Sequence, residues 1–449
     1  MITRLEATRY RCFERLGIEV GDFQVLVGAN GSGKTTLLDL PELFGDLLRT
    51  TNVTSAFLER RNGMPARAGN ARELLFAGAG KDFSLAVEAR LPADVANAVT
   101  NATIAKQRGE KARAAFAADS NRWPTHLRYE IAFEVAENGA ITVRNEYLFL
   151  FPSVLAPERN GQVTLHGVNV DSNKNWLPVL VRDSRSGALF SAEAPRRKQR
   201  DQEAIDLPGN VLALARVLYE SAAEFPAARW FFGLLTERAV FLEPNWVEMR
   251  QASLPGQPNT IIRSGRNIPW LALDLKNDEK APDSDSTYRS ERFADWIAHV
   301  QTALPQIVDI DVREREDDHH AYFRVTYRGG FTVPQSSLSD GTLRILTLTL
   351  LPYLRKPPSI LVTEEPENGI HPRAIEAVLQ SLSSMYDSQV WVSSHSPVVL
   401  ASANLDQLLC ARLVNEGSVE MVAGTDHPRL QEWRGGIDLG SLFAAGVLG

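Results

Sequence analysis

Nine consecutive residues near the amino terminus have the types and spacing of a phosphate-binding loop. Residues 28–36 are GANGSGKTT and fit the pattern G-x-x-x-x-G-K-[ST]. Glycines let successive backbone N–H groups surround phosphate oxygens, and the amino terminus of a following helix adds a partial positive charge. Lys34 would reach the β- and γ-phosphates of a nucleotide, and the Thr35 hydroxyl would bind Mg²⁺. The predicted nucleotide contacts are Gly28, Asn30, Gly31, Ser32, Gly33, Lys34, Thr35 and Thr36.

The flanks of this loop predict the elements that hold it. Residues 22–27 form an apolar run typical of a buried strand, and residues 36–40 have the composition of a helix. A strand, a glycine-rich turn and a helix are the context that the phosphate-binding pattern requires. We therefore predict that the loop binds a nucleoside triphosphate.

A second segment supplies acidic side chains at the end of a predicted strand. Residues 359–367, SILVTEEPE, are an apolar strand that ends in two carboxylates. One carboxylate of such a pair holds Mg²⁺ through water, and the next polarises the attacking water. We assign Glu364 to the metal and Glu365 to general-base catalysis. Taken alone, the segment fits a loop with exposed acidic side chains equally well. The presence of the phosphate-binding loop in the same chain favours the catalytic interpretation.

A histidine follows the next predicted strand. Residues 391–397, WVSSHSP, place His395 at the carboxyl end of a strand, where ligands of open α/β sheets bind. A single histidine at a strand end more often has a structural role. Its position after the acidic strand favours a hydrogen bond to the γ-phosphate.

A serine and glycine turn opens another apolar helix. Residues 337–344 are SLSDGTLR, in which Ser339 can cap the helix, and the helix amino terminus is a natural anion site. Residues 338–342 resemble a variant of the LSGGQ signature of ABC-type ATPases. The phosphate-binding loop, the signature, the acidic strand, a D-loop at residues 368–371 and the His395 switch occur in the order typical of that class.

The subtype that the chain resembles is the SMC/RecF-like group. The sequence motifs SDGTLR and EEPENGIHP are similar to the corresponding motifs in the ATPase part of OLD-family nucleases and in related bacterial phage-defence ATPases. The signature lacks its second Gly and its Gln, and Glu364 stands where many members have Asp. No glutamine within residues 45–151 is assigned to a Q-loop. An aromatic residue near residues 10–13 is expected to stack on adenine, and this expectation rests only on its position in the chain.

The resemblance implies a mechanism that needs two copies of the chain. In ABC-type proteins two heads enclose two ATP molecules, and each phosphate-binding loop faces the signature of the other head. Ser339, Asp340 and Gly341 would then contact the γ-phosphate held by Lys34 of another copy. ATP and Mg²⁺ are the implied cofactors, and hydrolysis through Glu365 would release the pair.

Composition excludes several classes of protein. The chain has 449 residues, of which 44% are hydrophobic and 23% charged, and it has no apolar run of membrane-spanning length. The amino terminus has no apolar signal core, so we expect a cytoplasmic protein without membrane contact. Cys12 and Cys410 match neither a disulfide framework nor a zinc spacing and are expected to be small core residues. The net charge of −7 argues against a largely basic surface but is compatible with a local basic groove that binds nucleic acid.

The elements predict an α/β ATPase head with a mixed sheet and an inserted lobe. We expect residues 1–169 to form the amino-terminal half of the head, with antiparallel strands. Residues 170–305 form a helical or irregular lobe, and residues 306–449 form the second half. Residues 93–118 are predicted to be one exposed helix, and residues 246–251 a short strand.

Other functions are weaker alternatives. A nucleotide-binding subunit of a transporter is disfavoured, because about 300 residues separate Thr35 from Ser337. A small-molecule kinase is disfavoured, because such an enzyme needs no signature. An SMC/RecF-like repair ATPase that acts without an effector remains an alternative. Only about fifty residues follow His395, too few for a TOPRIM nuclease domain. We therefore expect a separately encoded effector, docked on residues 170–289 or on the helix at 93–118, and nucleic acid bound directly or through that effector.

Overall fold

The computed structural model describes most of the chain. The described ranges are residues 1–60, 65–153, 176–183, 187–193, 204–219, 223–278, 288–414, 417–430 and 439–444. They fall into two compact units. The first unit contains residues 1–21, 31–238 and 411–422, and the second contains residues 22–30, 239–410 and 423–449.

The first unit contains a seven-stranded antiparallel sheet. Strands are numbered in chain order, and those of this sheet are β1 (Ile2–Tyr10), β2 (Phe13–Glu19), β4 (Asp82–Arg90), β5 (His126–Val135), β6 (Ile141–Phe151), β7 (Leu177–Asp183) and β8 (Gly187–Phe190). Their order across the sheet is β2-β1-β4-β5-β6-β7-β8. The antiparallel strands predicted for the amino-terminal half are therefore present.

Helices cover this sheet because their apolar faces need burial. The helices of the first unit are α1 (Lys34–Arg49), α2 (Val53–Leu58), α3 (Ala93–Lys106), α4 (Glu110–Ala118) and α5 (Pro226–Glu237). The ring of Phe44 on α1 lies 6.2 Å from that of Tyr129 on β5. The single helix predicted at residues 93–118 is wrong: α3 ends at Lys106, and Gly109, with a φ of 88°, separates it from α4.

The second unit holds the parallel strands. They are β3 (Phe23–Gly28), β9 (Ala239–Leu242), β13 (Ile360–Glu364) and β14 (Gln389–Ser393), with β15 (Leu408–Leu413) beside β3. Their order is β15-β3-β14-β13-β9, and the pairs β3–β14, β14–β13 and β13–β9 are parallel. After β15 comes β16 (Val419–Ala423), and residues 411–422 belong to the first unit.

An antiparallel meander and several helices complete the second unit. The meander consists of β10 (Ile307–Glu314), β11 (Ala321–Tyr327) and β12 (Thr332–Pro334). The helices are α6 (Trp246–Met249), α7 (Ile268–Lys276), α8 (Glu291–Ala303), α9 (Asp340–Leu350), α10 (Pro372–Ser383), α11 (Pro397–Ala401) and α12 (Leu439–Ala444). On α8 the apolar residues Phe293, Trp296, Ile297 and Val300 recur at helical spacing and are all buried.

The strand predicted at residues 246–251 is wrong, because the segment forms the short helix α6. Alternation of apolar and polar residues in this segment fits a strand as well as one helical turn. The side chain of Asn245 decides between them by accepting hydrogen bonds from the N–H groups of Val247 and Glu248, which caps a helix.

The predicted division at residues 169 and 305 stays a prediction. In the described part of the chain, no helix is long and apolar enough to cross a membrane. Of the two cysteines, Cys410 is buried as expected, whereas Cys12 is only half-buried.

Candidate nucleotide-binding and catalytic site

Three parallel strands bring Glu364, His395 and the start of the glycine-rich loop to one edge of the sheet. Glu364, at the end of β13, is paired with Ser393, and Ser393 is paired with Leu26 near the end of β3. The carboxyl ends of β13, β14 and β3 therefore lie side by side. The glycine-rich loop begins at the end of β3, and His395 follows β14. Ligands of open α/β sheets bind at such an edge.

The loop itself has a backbone that only glycine adopts easily. Gly31 and Gly33 have φ angles of 77° and 79°, in the left-handed region. Gly33 is also the N-cap of α1, and a Cβ added there would lie 2.7 Å from the Sγ of Cys12. Because the first N–H groups of a helix have no partner within the helix, the start of α1 can accept an anion.

One side chain of the loop supports phosphate binding independently of the motif. The Oγ of Ser32 is buried and has no hydrogen-bond partner. A buried hydroxyl without a partner costs free energy, which a bound oxygen ligand removes. Lys34 is 7% exposed at the first position of α1. Gly28–Asn30 belong to the second unit, and Gly31–Thr36 to the first.

Glu365 is held in an uncommon conformation directly after β13. Its φ angle is 43°, and its N–H donates to the carbonyl oxygen of Ser393 at 3.0 Å. The side-chain amide of Asn368 donates to its Oε2. Its Oε1 lies 3.7 Å from the Nε2 of His395. Backbone strain of this kind occurs at functional sites, and the two carboxylate oxygens each face a different polar group.

Two further residues fix the turns that carry Glu365 and His395. The N–H of Ser394 donates to the carbonyl oxygen of Leu26 at 3.0 Å, and its Oγ donates to the Oε1 of Glu367 at 2.5 Å. Burial raises the pKa of Glu367. The loops after β13 and β14 are therefore joined beside the start of the glycine-rich loop.

The signature forms the amino terminus of α9. Ser339 is the N-cap, and its Oγ accepts a hydrogen bond from the N–H of Thr342 at 3.2 Å. A Cβ added at Gly341 would lie 2.7 Å from the carbonyl oxygen of Gly369 in the D-loop. Ser339 and Asp340 are exposed. The signature is therefore accessible at its amino terminus and tightly packed against the D-loop.

Contacts between α6 and the signature were not predicted from the sequence. Arg250, at the end of α6, forms an ion pair with Asp340, and the guanidinium of Arg344 lies 4.2 Å from the ring centroid of Trp246. Asp340 lies ninety residues beyond Arg250 in the chain. No local pattern connects such residues, because the contact depends on tertiary packing.

The residues that could hold Mg²⁺ are few. Within the ranges that the structure describes, no group of three or more His, Cys, Asp and Glu side chains is arranged to bind a metal ion. Mg²⁺ bound mainly through nucleotide phosphates needs only one or two protein ligands. Thr35 and Glu364 fit that requirement by type, and their role stays a prediction.

The arrangement defines a class of fold, an α/β head with a parallel sheet and an antiparallel sheet. A solved structure of the SmcHead bound to the C-winged helix domain of ScpA has this fold. It is similar to the chain with a TM-score of 0.51 at 13% identity, over 94% of this chain and 97% of that chain. The predicted fold class is confirmed.

Two further solved structures and one family model match the chain. The Smc head domain with an extended coiled coil from Pyrococcus furiosus gives a TM-score of 0.47 at 12% identity, over 94% of this chain and 95% of that chain. The SMC head domain from Thermotoga maritima gives a TM-score of 0.40 at 13% identity, over 94% of this chain and 98% of that chain. Residues 228–401 match the family model "AAA domain, putative AbiEii toxin, Type IV TA system". No curated protein matched the chain.

Proposed function

We propose that the chain binds and hydrolyses ATP with Mg²⁺, and that two copies close around the nucleotide. The observation that carries this proposal is the position of Glu365 between Asn368 and His395. These residues lie at the sheet edge where the phosphate-binding loop begins. A carboxylate, a histidine and a glycine-rich loop in this arrangement suit the hydrolysis of a phosphoanhydride.

Each residue has a defined task in this reaction. Water attacks the γ-phosphorus of bound MgATP, the bond from that phosphorus to the β–γ bridging oxygen breaks, and ADP leaves. The glycine-rich loop and Lys34 hold the β- and γ-phosphates, and Thr35 and Glu364 hold the metal. Glu365 accepts the proton of the attacking water. His395 donates a hydrogen bond to the γ-phosphate.

The exposed signature supports the dimer. The N–H groups at the start of α9 are directed out of a helix whose cap residue Ser339 and first residue Asp340 are both exposed. The γ-phosphate on a second copy of the chain can therefore be reached by Ser339, Asp340 and Gly341. Binding of ATP favours the closed pair, and hydrolysis removes the phosphate that both copies contact.

The ATPase is proposed to control a separate effector, a nuclease or TOPRIM-like protein, in a cytoplasmic phage-defence or DNA-processing complex. Three observations support this proposal. The motif wordings resemble OLD-family and phage-defence ATPases, and the matched family model is described as a putative AbiEii toxin. The SmcHead of similar fold is bound to another protein, ScpA. Nucleic acid is contacted directly or through the effector.

A trapping experiment tests hydrolysis and dimerisation together. In Glu365→Gln the nucleotide still binds, but the proton acceptor is lost. We expect a dimer that persists with MgATP and turnover that falls at least about a hundredfold. Lys34→Ala is the matched control and should stay monomeric with MgATP. Unchanged turnover in Glu365→Gln would contradict the general-base assignment.

A mixing experiment tests whether the site is shared. Lys34→Ala and Ser339→Arg should each be inactive alone, because every site then lacks one half. In a mixed dimer one site combines the intact loop of the Ser339→Arg copy with the intact signature of the Lys34→Ala copy. We expect ATPase activity to return on mixing. If each site were built from one copy, mixing would restore nothing.

A further inference from the structure

Asp340 places a negative charge where the proposed function needs an anion to bind. It is the first residue of α9, one position after the cap Ser339, and it is exposed. A carboxylate in the first turn stabilises the helix itself through the helix dipole. The same charge repels a phosphate that approaches the helix amino terminus. The signature of this chain therefore needs a compensating cation.

Arg250 supplies that cation from another element. Its Nε and Nη2 both donate to the Oδ1 of Asp340, at 3.1 and 2.9 Å. Arg344, one helical turn beyond Asp340, interacts with it electrostatically, but its guanidinium stacks on Trp246. Among the described residues, Arg250 is the cation that donates hydrogen bonds to Asp340.

The backbone on both sides of Arg250 is fixed to the segment that precedes the signature. The Nε2 of Gln335 donates to the carbonyl oxygens of Met249 and Gln251, at 2.5 and 2.9 Å. Its Oε1 accepts a hydrogen bond from the N–H of Phe323 at 2.9 Å. Gln335 is 3% exposed and lies three residues before Leu338. A fully bonded, buried amide holds its neighbours in one position.

We propose that Arg250 is a positioning residue of the nucleotide site between two copies. It neutralises Asp340, so that the amino terminus of α9 accepts the γ-phosphate bound by the second copy. The inference rests on the proposed function and names a residue outside the signature on which that function depends. Gln335 supports it by holding the chain on either side of Arg250.

The test measures dimer formation without hydrolysis. In the Glu365→Gln background, the dissociation constant of the dimer is measured with MgATP by analytical ultracentrifugation. Arg250→Ala should weaken the dimer on the order of tenfold, because a symmetric dimer contains two such sites. Adding Asp340→Asn should restore most of that loss, because the uncompensated charge is then gone. Arg250→Lys should weaken the dimer less than Arg250→Ala does, because lysine keeps the positive charge.

A matched control removes a comparable ion pair elsewhere. Arg315 and Asp318 are paired at 2.9 Å with side chains 46% and 42% exposed, against 43% and 54% for Arg250 and Asp340. Arg315→Ala should leave the dimer unchanged. If the ion pair only held α6 against α9, Arg250→Ala would weaken the dimer equally with or without Asp340→Asn. A dimer that Asp340→Asn fails to restore therefore overturns this inference. A Glu365→Gln chain that never dimerises with MgATP overturns the proposed function instead.

Discussion

Asn368 and Glu365 are joined by two hydrogen bonds. The side-chain amide of Asn368 donates to the Oε2 of Glu365, and its backbone N–H donates to the Glu365 carbonyl oxygen at 3.0 Å. The turn between them holds Glu365 at a φ of 43°. The other carboxylate oxygen faces His395 at 3.7 Å. The direction of the proposed general base is therefore set by a residue of the D-loop.

Asn368→Asp tests this relationship with an almost isosteric change. The backbone N–H of residue 368 closes the turn and is kept in the variant, so the backbone is expected to keep its shape. The donor to Glu365 is replaced by a carboxylate, which repels it. We expect kcat for ATP to fall at least about tenfold, with little change in KM or in the thermal midpoint. Steady-state kinetics and thermal unfolding measure these quantities, and an unchanged kcat would leave Asn368 with a turn-forming role only.

Gly341 is expected to tolerate no side chain, although it lies in a helix. A Cβ there would lie 2.7 Å from the carbonyl oxygen of Gly369, closer than such atoms approach in proteins. Gly341→Ala must therefore separate the signature from the D-loop. We expect the ATP-dependent dimer of the Glu365→Gln background to weaken at least about tenfold. Analytical ultracentrifugation with MgATP decides the outcome, and an equally tight dimer would show that this contact is not required.

Gly45 and Gly233 give opposite predictions for the same substitution. Both lie inside helices, where alanine normally stabilises a protein by roughly 0.5–1 kcal/mol relative to glycine. A Cβ at Gly45 would overlap the carbonyl oxygen of Leu235, whereas a Cβ at Gly233 meets no atom within 4 Å. Gly45→Ala should lower the free energy of unfolding by about 1–3 kcal/mol, and Gly233→Ala should raise it slightly. Urea unfolding of both variants checks the sign; two changes of the same sign would contradict the packing at α1 and α5.

The order of motifs along the chain predicted which residues meet at the sheet edge. Glu364 and His395 each follow an apolar run, and successive parallel strands end at one edge, so local patterns were sufficient there. The ion pair of Arg250 with Asp340 was not predictable, because its partners lie on separate elements far apart in sequence. The break after Lys106 also escaped prediction, because alanine-rich sequence favours a helix on both sides of Gly109.

Glu193 is a buried carboxylate that caps a helix from outside it. Its two oxygens accept hydrogen bonds from the N–H groups of Ala227 and Ala228 in the first turn of α5, at 2.6 and 2.9 Å. The Nζ of Lys106 on α3 donates to its carbonyl oxygen at 2.9 Å. Burial raises the pKa of Glu193 to about 7, although the two N–H donors and Lys106 favour the ionised form. The carboxyl group therefore titrates near neutral pH in the folded chain.

The stability of the protein should fall as Glu193 ionises. The folded state binds the proton more tightly than the unfolded state, where the pKa is near its ordinary value. The stabilising contribution is thus fully present below that ordinary value and is lost as the pH rises through about 7. Between pH 5 and 8, the free energy of unfolding should fall by about 2–3 kcal/mol relative to Glu193→Gln, which cannot ionise. Urea unfolding of both proteins across this range measures the difference, and parallel curves would mean that Glu193 is already ionised at pH 5.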